Sequence, residues 1–92
     1  MPGWLIIEDG KRTTWLNAKH IVAISVCVDN NEMCVEITMD TDDTYEYWTK
    51  DEDMVKAGRE QPCLMNEVIH DLNEGLIVDL ERYLRYEASK CY

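Results

Sequence analysis

Phenylalanine is absent from this chain, and glycine, proline and cysteine are scarce, with four, two and four residues among 92. Without Phe, the aromatic bulk of a core must come from Trp4, Trp15, Trp48 and the tyrosines. Long apolar runs are missing too. The N-terminal run Trp4-Leu-Ile-Ile7 has no basic stretch before it and is too short for a signal peptide or a membrane span. A cytoplasmic protein is therefore expected, with Cys27, Cys34, Cys63 and Cys91 as reduced thiols and no membrane partner. The cysteines and the two histidines, His20 and His70, lack CxxC and HxxxH spacing, so no zinc site is expected. Basic residues never cluster, which argues against direct nucleic-acid binding.

Catalytic patterns are equally scarce. Asp40-Thr-Asp-Asp-Thr44 begins like a calcium loop, but the positions that need Gly and Glu hold Tyr45 and Asp51, and Trp48 fills a liganding slot. Cys63 follows Pro62 at an expected helix start, where a dipole can lower a thiol pKa. With no base placed beside it, a capping or core role is expected instead. The expectation is a non-enzyme without a cofactor.

What is present is charge, and it is concentrated. The chain carries −10 at pH 7. Residues 1–28 are net +1 and residues 55–92 net −2, whereas residues 29–54 hold ten acids against Lys50, a net of −9. So dense a field attracts basic partners and repels nucleic acid and anionic membrane. It lies in a segment that alternates like a folded strand, unlike a disordered acidic tail.

Ninety-two residues make a single domain, read here as a sheet part (1–49) and a helical part (50–92). Trp4 to Glu8 and Lys11 to Leu16 flank Asp9-Gly10, a hairpin signal that sets Ile7 opposite Arg12 and Trp4 opposite Trp15. After Asn17–His20, Ile21 to Val28 is β-branched and reads as a central strand. A two-residue turn at Asn30-Asn31 pairs Val28 with Met33, Val26 with Val35, Ile24 with Ile37 and Val22 with Met39. The opposite face pairs Cys27 with Cys34, Ser25 with Glu36 and Ala23 with Thr38. A three-residue loop after Asp40 sets Met39 against Tyr45 and Ile37 against Tyr47, leaving Glu36 beside Trp48 and Thr38 beside Glu46. Lys50 to Gly58 reads as a short helix ended by its glycine. From Cys63 the apolar residues fall at helical spacing through Leu84, as one long helix interrupted at Gly75, with a fraying tail from Glu87 to Tyr92. The expected fold is α+β, an antiparallel five-stranded β-meander packed against a C-terminal helix.

On that frame Glu36 and Glu46 lie on the outer face of a hairpin. Asp29, Glu32, Asp40, Asp42 and Asp43 sit at its turns, and Asp51, Glu52 and Asp53 at the next helix start. Trp48 points outward among them as an interface anchor. Carboxylates and phosphates are both recognised by Lys and Arg, so the array suits a basic protein that handles nucleic acid.

Trp15-Leu-Asn-Ala-Lys-His-Ile-Val-Ala-Ile24, followed by a strand, an acidic turn and Tyr45-Glu-Tyr-Trp48, resembles the small flagellar proteins of the FlbD type. In size, acidity and compactness the chain resembles the anti-CRISPR inhibitors of phages and mobile elements, and the immunity proteins that block basic nuclease toxins. The class-level resemblance implies a small inhibitor that occupies a nucleic-acid-binding groove. The FlbD resemblance implies a non-enzymatic adaptor or regulatory subunit. A homodimer is compatible with either.

Overall fold

Side-chain alternation and local caps set the elements of the computed structural model, which describes residues 3–61 and 63–90. In chain order they are β1 (Trp4–Asp9), β2 (Arg12–Asn17), a 3-10 turn (Ala18–His20), β3 (Ile21–Asp29), β4 (Glu32–Met39), β5 (Thr44–Thr49), α1 (Glu52–Glu60), α2 (Asn66–Asn73), β6 (Ile77–Asp79) and α3 (Leu80–Ser89). The fold is α+β, but it is not a five-stranded meander on one helix. Among the described residues, six strands form two three-stranded sheets, ordered β2-β1-β6 and β3-β4-β5.

The break between the sheets lies in the 3-10 turn. The Asn17 side chain accepts the Lys19 N–H, and the Ala18 N–H donates to the Gly3 carbonyl. His20 then ties the turn to the far end of β4: its carbonyl accepts the Asp40 N–H at 2.7 Å and its Nδ1 lies 2.8 Å from the Asp40 carboxylate. The chain has left the first sheet by Ile21, so β2 and β3 do not pair. The strand expected to be central, β3, is an edge. The free side of β1 is taken by β6, in parallel, with Trp4, Leu5 and Ile6 facing Ile77, Val78 and Asp79.

That strand also divides the long helix expected from Cys63 onward. The Gly75 N–H bonds the Leu72 carbonyl and the Leu76 N–H reaches back to Asp71. Together these make the double-bonded stop in which the residue past the helix end turns left-handed. Gly75 has φ +83, a conformation that costs glycine little. The Asp79 carboxylate then accepts the Arg82 N–H and starts α3, which buries Leu80, Leu84 and Ala88 on one stripe. The helix persists to Ser89 rather than fraying from Glu87; Cys91 and Tyr92 lie outside the described residues, as does Pro62 of the connector.

The short helix appears as α1. Asp51 caps it, accepting the Asp53 and Met54 N–H groups at 3.0 and 3.1 Å, with Glu52 and Asp53 suiting the positive end of the dipole. Gly58 lies inside this helix rather than past its end, because the space there is occupied: a Cβ would run into the Met33 Sδ of β4. Cys63 neither caps α2 nor enters the core. It is exposed, and Met65 holds the cap position without a side-chain bond.

The β3–β4 register agrees with the turn and the pattern from Ala23–Thr38 to Asp29–Glu32. At its far end a bulge pairs Ile21, not Val22, with Met39, and Val22 is left exposed. The other two hairpins are each displaced by two residues. Gly10-Lys11 forms the first loop, so Leu5 meets Leu16, Ile6 meets Trp15 and Ile7 meets Thr14. After β4 the loop is longer, with Asp42 at φ +72 and the Met39 N–H bonded to the Asp43 carbonyl. Ile37 therefore faces Tyr45, Val35 faces Tyr47, Cys34 faces Trp48 and Glu36 faces Glu46. A shift of two keeps every side chain on its face. The inner faces of both sheets and all three helices share one core, in which Leu5, Met33, Ile37, Leu80 and Leu84 are fully buried. Among the described residues, no helix is long and apolar enough to cross a membrane.

Candidate functional site

The outer face of β3-β4-β5 is built by alternation. Inner residues Val35, Ile37 and Tyr47 enter the core. Their neighbours therefore turn outward: Ala23, Ser25 and Cys27 from β3, Cys34, Glu36 and Thr38 from β4, and Thr44, Glu46 and Trp48 from β5. Glu36 and Glu46 stand directly opposite each other, an arrangement that disfavours the sheet by itself. Their neighbours in the register, Ser25, Cys34, Thr38, Thr44 and Trp48, include no base. Trp48 is 57% exposed, and its indole Nε1–H donates to the Glu46 carboxylate at 2.7 Å. This bond fixes the ring beside the carboxylate and leaves its face open.

Trp48 also lines a hollow of about 630 Å³, together with Cys27, Cys34, Asp29, Glu32 and Lys50. Cys34 is buried, with Trp48 opposite it on β5 and Cys27 on β3, and burial, with Glu46 and Glu36 next, pushes its thiol pKa up. It is thus held as a neutral thiol and is a poor nucleophile. Cys27, Cys34 and Cys63 are all free, and no metal-holding group of three or more His, Cys, Asp or Glu occurs among the described residues.

The structure brings some of the expected site residues together and separates others. Glu36, Glu46 and Trp48 share the face. Asp29 and Glu32 flank the Asn30-Asn31 turn at one end, where Lys50 lies 3.4 Å from Glu32. Asp40, Asp42 and Asp43 occupy the loop at the other end, where Asp40 is engaged by His20 and Asp43 accepts from Thr41 Oγ1. Asp51, Glu52 and Asp53 do not join this face. Tyr47 points inward with its hydroxyl 4.0 Å from the Met54 Sδ, so α1 packs beneath the sheet, and Asp51 is spent on its cap and a 4.0 Å approach to Arg85.

A second surface has no counterpart in the sequence expectations. On the outer face of β2-β1-β6, Trp15 (53% exposed), Trp4 (40%) and Ile77 (61%) lie around Ile6, with Leu76 alongside. The signal was present in β1: Trp4-Leu-Ile-Ile7 is apolar on both faces, and only one face can enter the core. Family models, curated proteins and solved structures offer no match to the chain. Geometry and charge alone therefore carry the functional argument.

Proposed function

We propose that this chain is a small protein-binding inhibitor that covers a basic nucleic-acid-binding surface, in the manner of an anti-CRISPR or nuclease-immunity protein. The single observation behind this is the Glu36–Glu46 pair, set face to face beside an exposed Trp48 and without a base among its sheet neighbours. A like-charge pair weakens the sheet that holds it, so the arrangement suits a base supplied from outside. Asp29 and Glu32 stand at one end of β4, Glu36 and Glu46 midway, and Asp40, Asp42 and Asp43 in the loop at its other end, a span of roughly 27 Å at strand rise. Seven carboxylates in three groups over that length give a mean charge density near that of one nucleic-acid strand, which carries a phosphate per roughly 3.4 Å. The hollow beside Trp48 suits a Lys or Arg, whose cation meets the ring face while the surrounding carboxylates take its N–H groups. Steering by the field would speed association, and the aromatic would supply the desolvated anchor.

The test replaces Glu36, Asp40, Asp42, Asp43 and Glu46 by Asn or Gln. The variant should fold as well as the parent or better, since repulsion is relieved. In pull-downs from lysate, the parent should retain basic nucleic-acid-handling proteins at low salt and release them at high salt, and the variant should not retain them. Retention of the same proteins by both would refute the proposal.

A second reading, an adaptor or regulatory subunit, is favoured by the exposed Trp4, Trp15 and Ile77 face. Exposed apolar patches of this kind mark docking sites. On that reading Trp15→Ala abolishes partner capture, and neutralising the acids does not.

A further inference from the structure

We infer that the free edge of β3 pairs with β3 of a second copy, joining two three-stranded sheets into one of six strands. An open strand edge is a template for pairing, and monomeric proteins blunt such edges with Lys, Pro, inward charges, bulges or short length. Of the outermost strands here, β6 has three residues, β2 carries Arg12 and β5 carries Glu46. The nine-residue β3 has no charge before Asp29 and no proline, and its one bulge lies at the start, between Ile21 and Ala23.

The backbone is set for the pairing. The pair flanking a two-residue hairpin loop is hydrogen-bonded, and such pairs alternate along the ladder. Asp29–Glu32 flanks the Asn30-Asn31 loop. Ile24, Val26 and Val28 thus fall at the alternate positions and aim their N–H and C=O groups away from β4. An antiparallel copy related by a two-fold axis at Val26 places Val26 on Val26 and Ile24 on Val28. These side chains are only half-buried in the single chain. The pairing stays within the regular part of the strand, clear of the bulge.

The flank of the edge is shaped for the same occupant. Two adjoining hollows, of about 150 and 280 Å³, follow β3 on its inner side and share Ile24 and Ile69. Val26 and Val28 of a paired copy would project over them and cover Ile69, which is 43% exposed. The uncharged edge gives a basic partner no carboxylate to pair with, whereas its two-fold register matches a second copy. Two chains of −10 repel, and can meet only where neither presents charge; the five uncharged residues from Ile24 to Val28 that face one another about the axis give about 17 Å of such contact. Charges beyond the edge are screened over about 8 Å at physiological salt. The contact is smaller than the roughly 800 Å² per partner of a standard interface, so the dimer should be weak, with Kd on the order of 10 μM.

Sedimentation of the reduced full chain tests this from about 5 μM to about 1 mM, at low and high salt. The mass should rise from the 10.8 kDa of one chain toward twice that value, and salt should favour the dimer. This salt trend is opposite to that expected for capture of a basic partner, so the two ideas can fail separately. Val26→Lys sets two cations face to face on the axis and should weaken the dimer at least tenfold. Ser25→Cys keeps the test sound should that variant unfold. Across the new interface Ser25 faces Cys27 of the other copy at a non-hydrogen-bonded position, with Cα atoms about 4.5 Å apart, within disulfide range. Mild oxidation should cross-link the introduced thiol to Cys27 of the second copy, as read by peptide mapping. A mass of one chain at every concentration, a dimer indifferent to Val26→Lys in a folded variant, or the absence of that cross-link would overturn the inference.

Discussion

Alanine at Gly58 would test how α1 is seated beneath the acidic sheet. Gly58 lies inside α1, where Ala would ordinarily be favoured by about 1 kcal/mol. The structure opposes that gain. The added methyl would overlap Met33 Sδ and stand 3.2 Å from the Val28 Cγ2. Met33 is wholly buried, so its sulfur has no open side to move toward. Overpacking of this kind costs about 1–3 kcal/mol. Against the helix gain, the expected net loss is about 0–2 kcal/mol. With a urea m-value near 1 kcal/mol/M for a chain of this size, the unfolding midpoint should not rise and should fall by up to about 2 M. A double-mutant cycle with Met33→Ala sharpens the test, since the methyl would fill part of the space left by Met33. The coupling should favour the double variant by about 0.5–3 kcal/mol. A midpoint raised by Gly58→Ala, or additive single effects, would show that propensity governs the site and that α1 does not press on β4 there.

Trp48→Ala should cost about 1–2 kcal/mol in urea unfolding, since over half of the ring is already solvated; a buried Trp would cost about 3–5 kcal/mol. Binding to a captured partner should fall by about 2 kcal/mol or more in the same variant, and a large stability loss with unchanged binding would refute the anchor role. Iodoacetamide at pH 8 should label Cys27 well before Cys34, which is buried and whose pKa is raised by burial and then by Glu46 and Glu36. Glu46→Gln removes one of those carboxylates and should speed Cys34 labelling; equal rates in parent and variant, by mass spectrometry, would contradict that coupling.

Local signals explain what could be read from the sequence. The β3–β4 hairpin was legible because turn chemistry and apolar alternation agree at Asn30-Asn31. In the two flanking hairpins alternation gave the faces correctly but left the register open by two, since such a slip keeps apolar residues inward. Trp48 was therefore placed outward correctly, but beside the wrong neighbour, and the direct Glu36–Glu46 opposition went unseen. The two-sheet architecture was illegible for a different reason. Leu72, Leu76 and Leu80 keep helical spacing through β6, and Ile77–Asp79 is a strand only because β1, at the other end of the chain, offers it an edge. Gly75 was the local sign of the break, but a glycine in a helical pattern does not reveal whether a strand or a second helix lies beyond it. The displacement of Asp51, Glu52 and Asp53 from the acidic face likewise depends on which side of the sheet α1 covers, and this is decided by tertiary packing.

The parallel pairing of β6 with β1 also sets an order of assembly. The β3-β4-β5 sheet is closed by two hairpins, each joining neighbours in the chain, and such elements form within microseconds. The other sheet gains its third strand only when Ile6 meets Asp79 across most of the chain, after the full entropy of closing that loop has been met. During synthesis from the N-terminus, the carboxylate-bearing sheet can thus take shape while β1 still has one side bare and α3 has not been made. The later-made segment of β6 and α3 completes the first-made sheet and, through Leu80 and Leu84, closes the core.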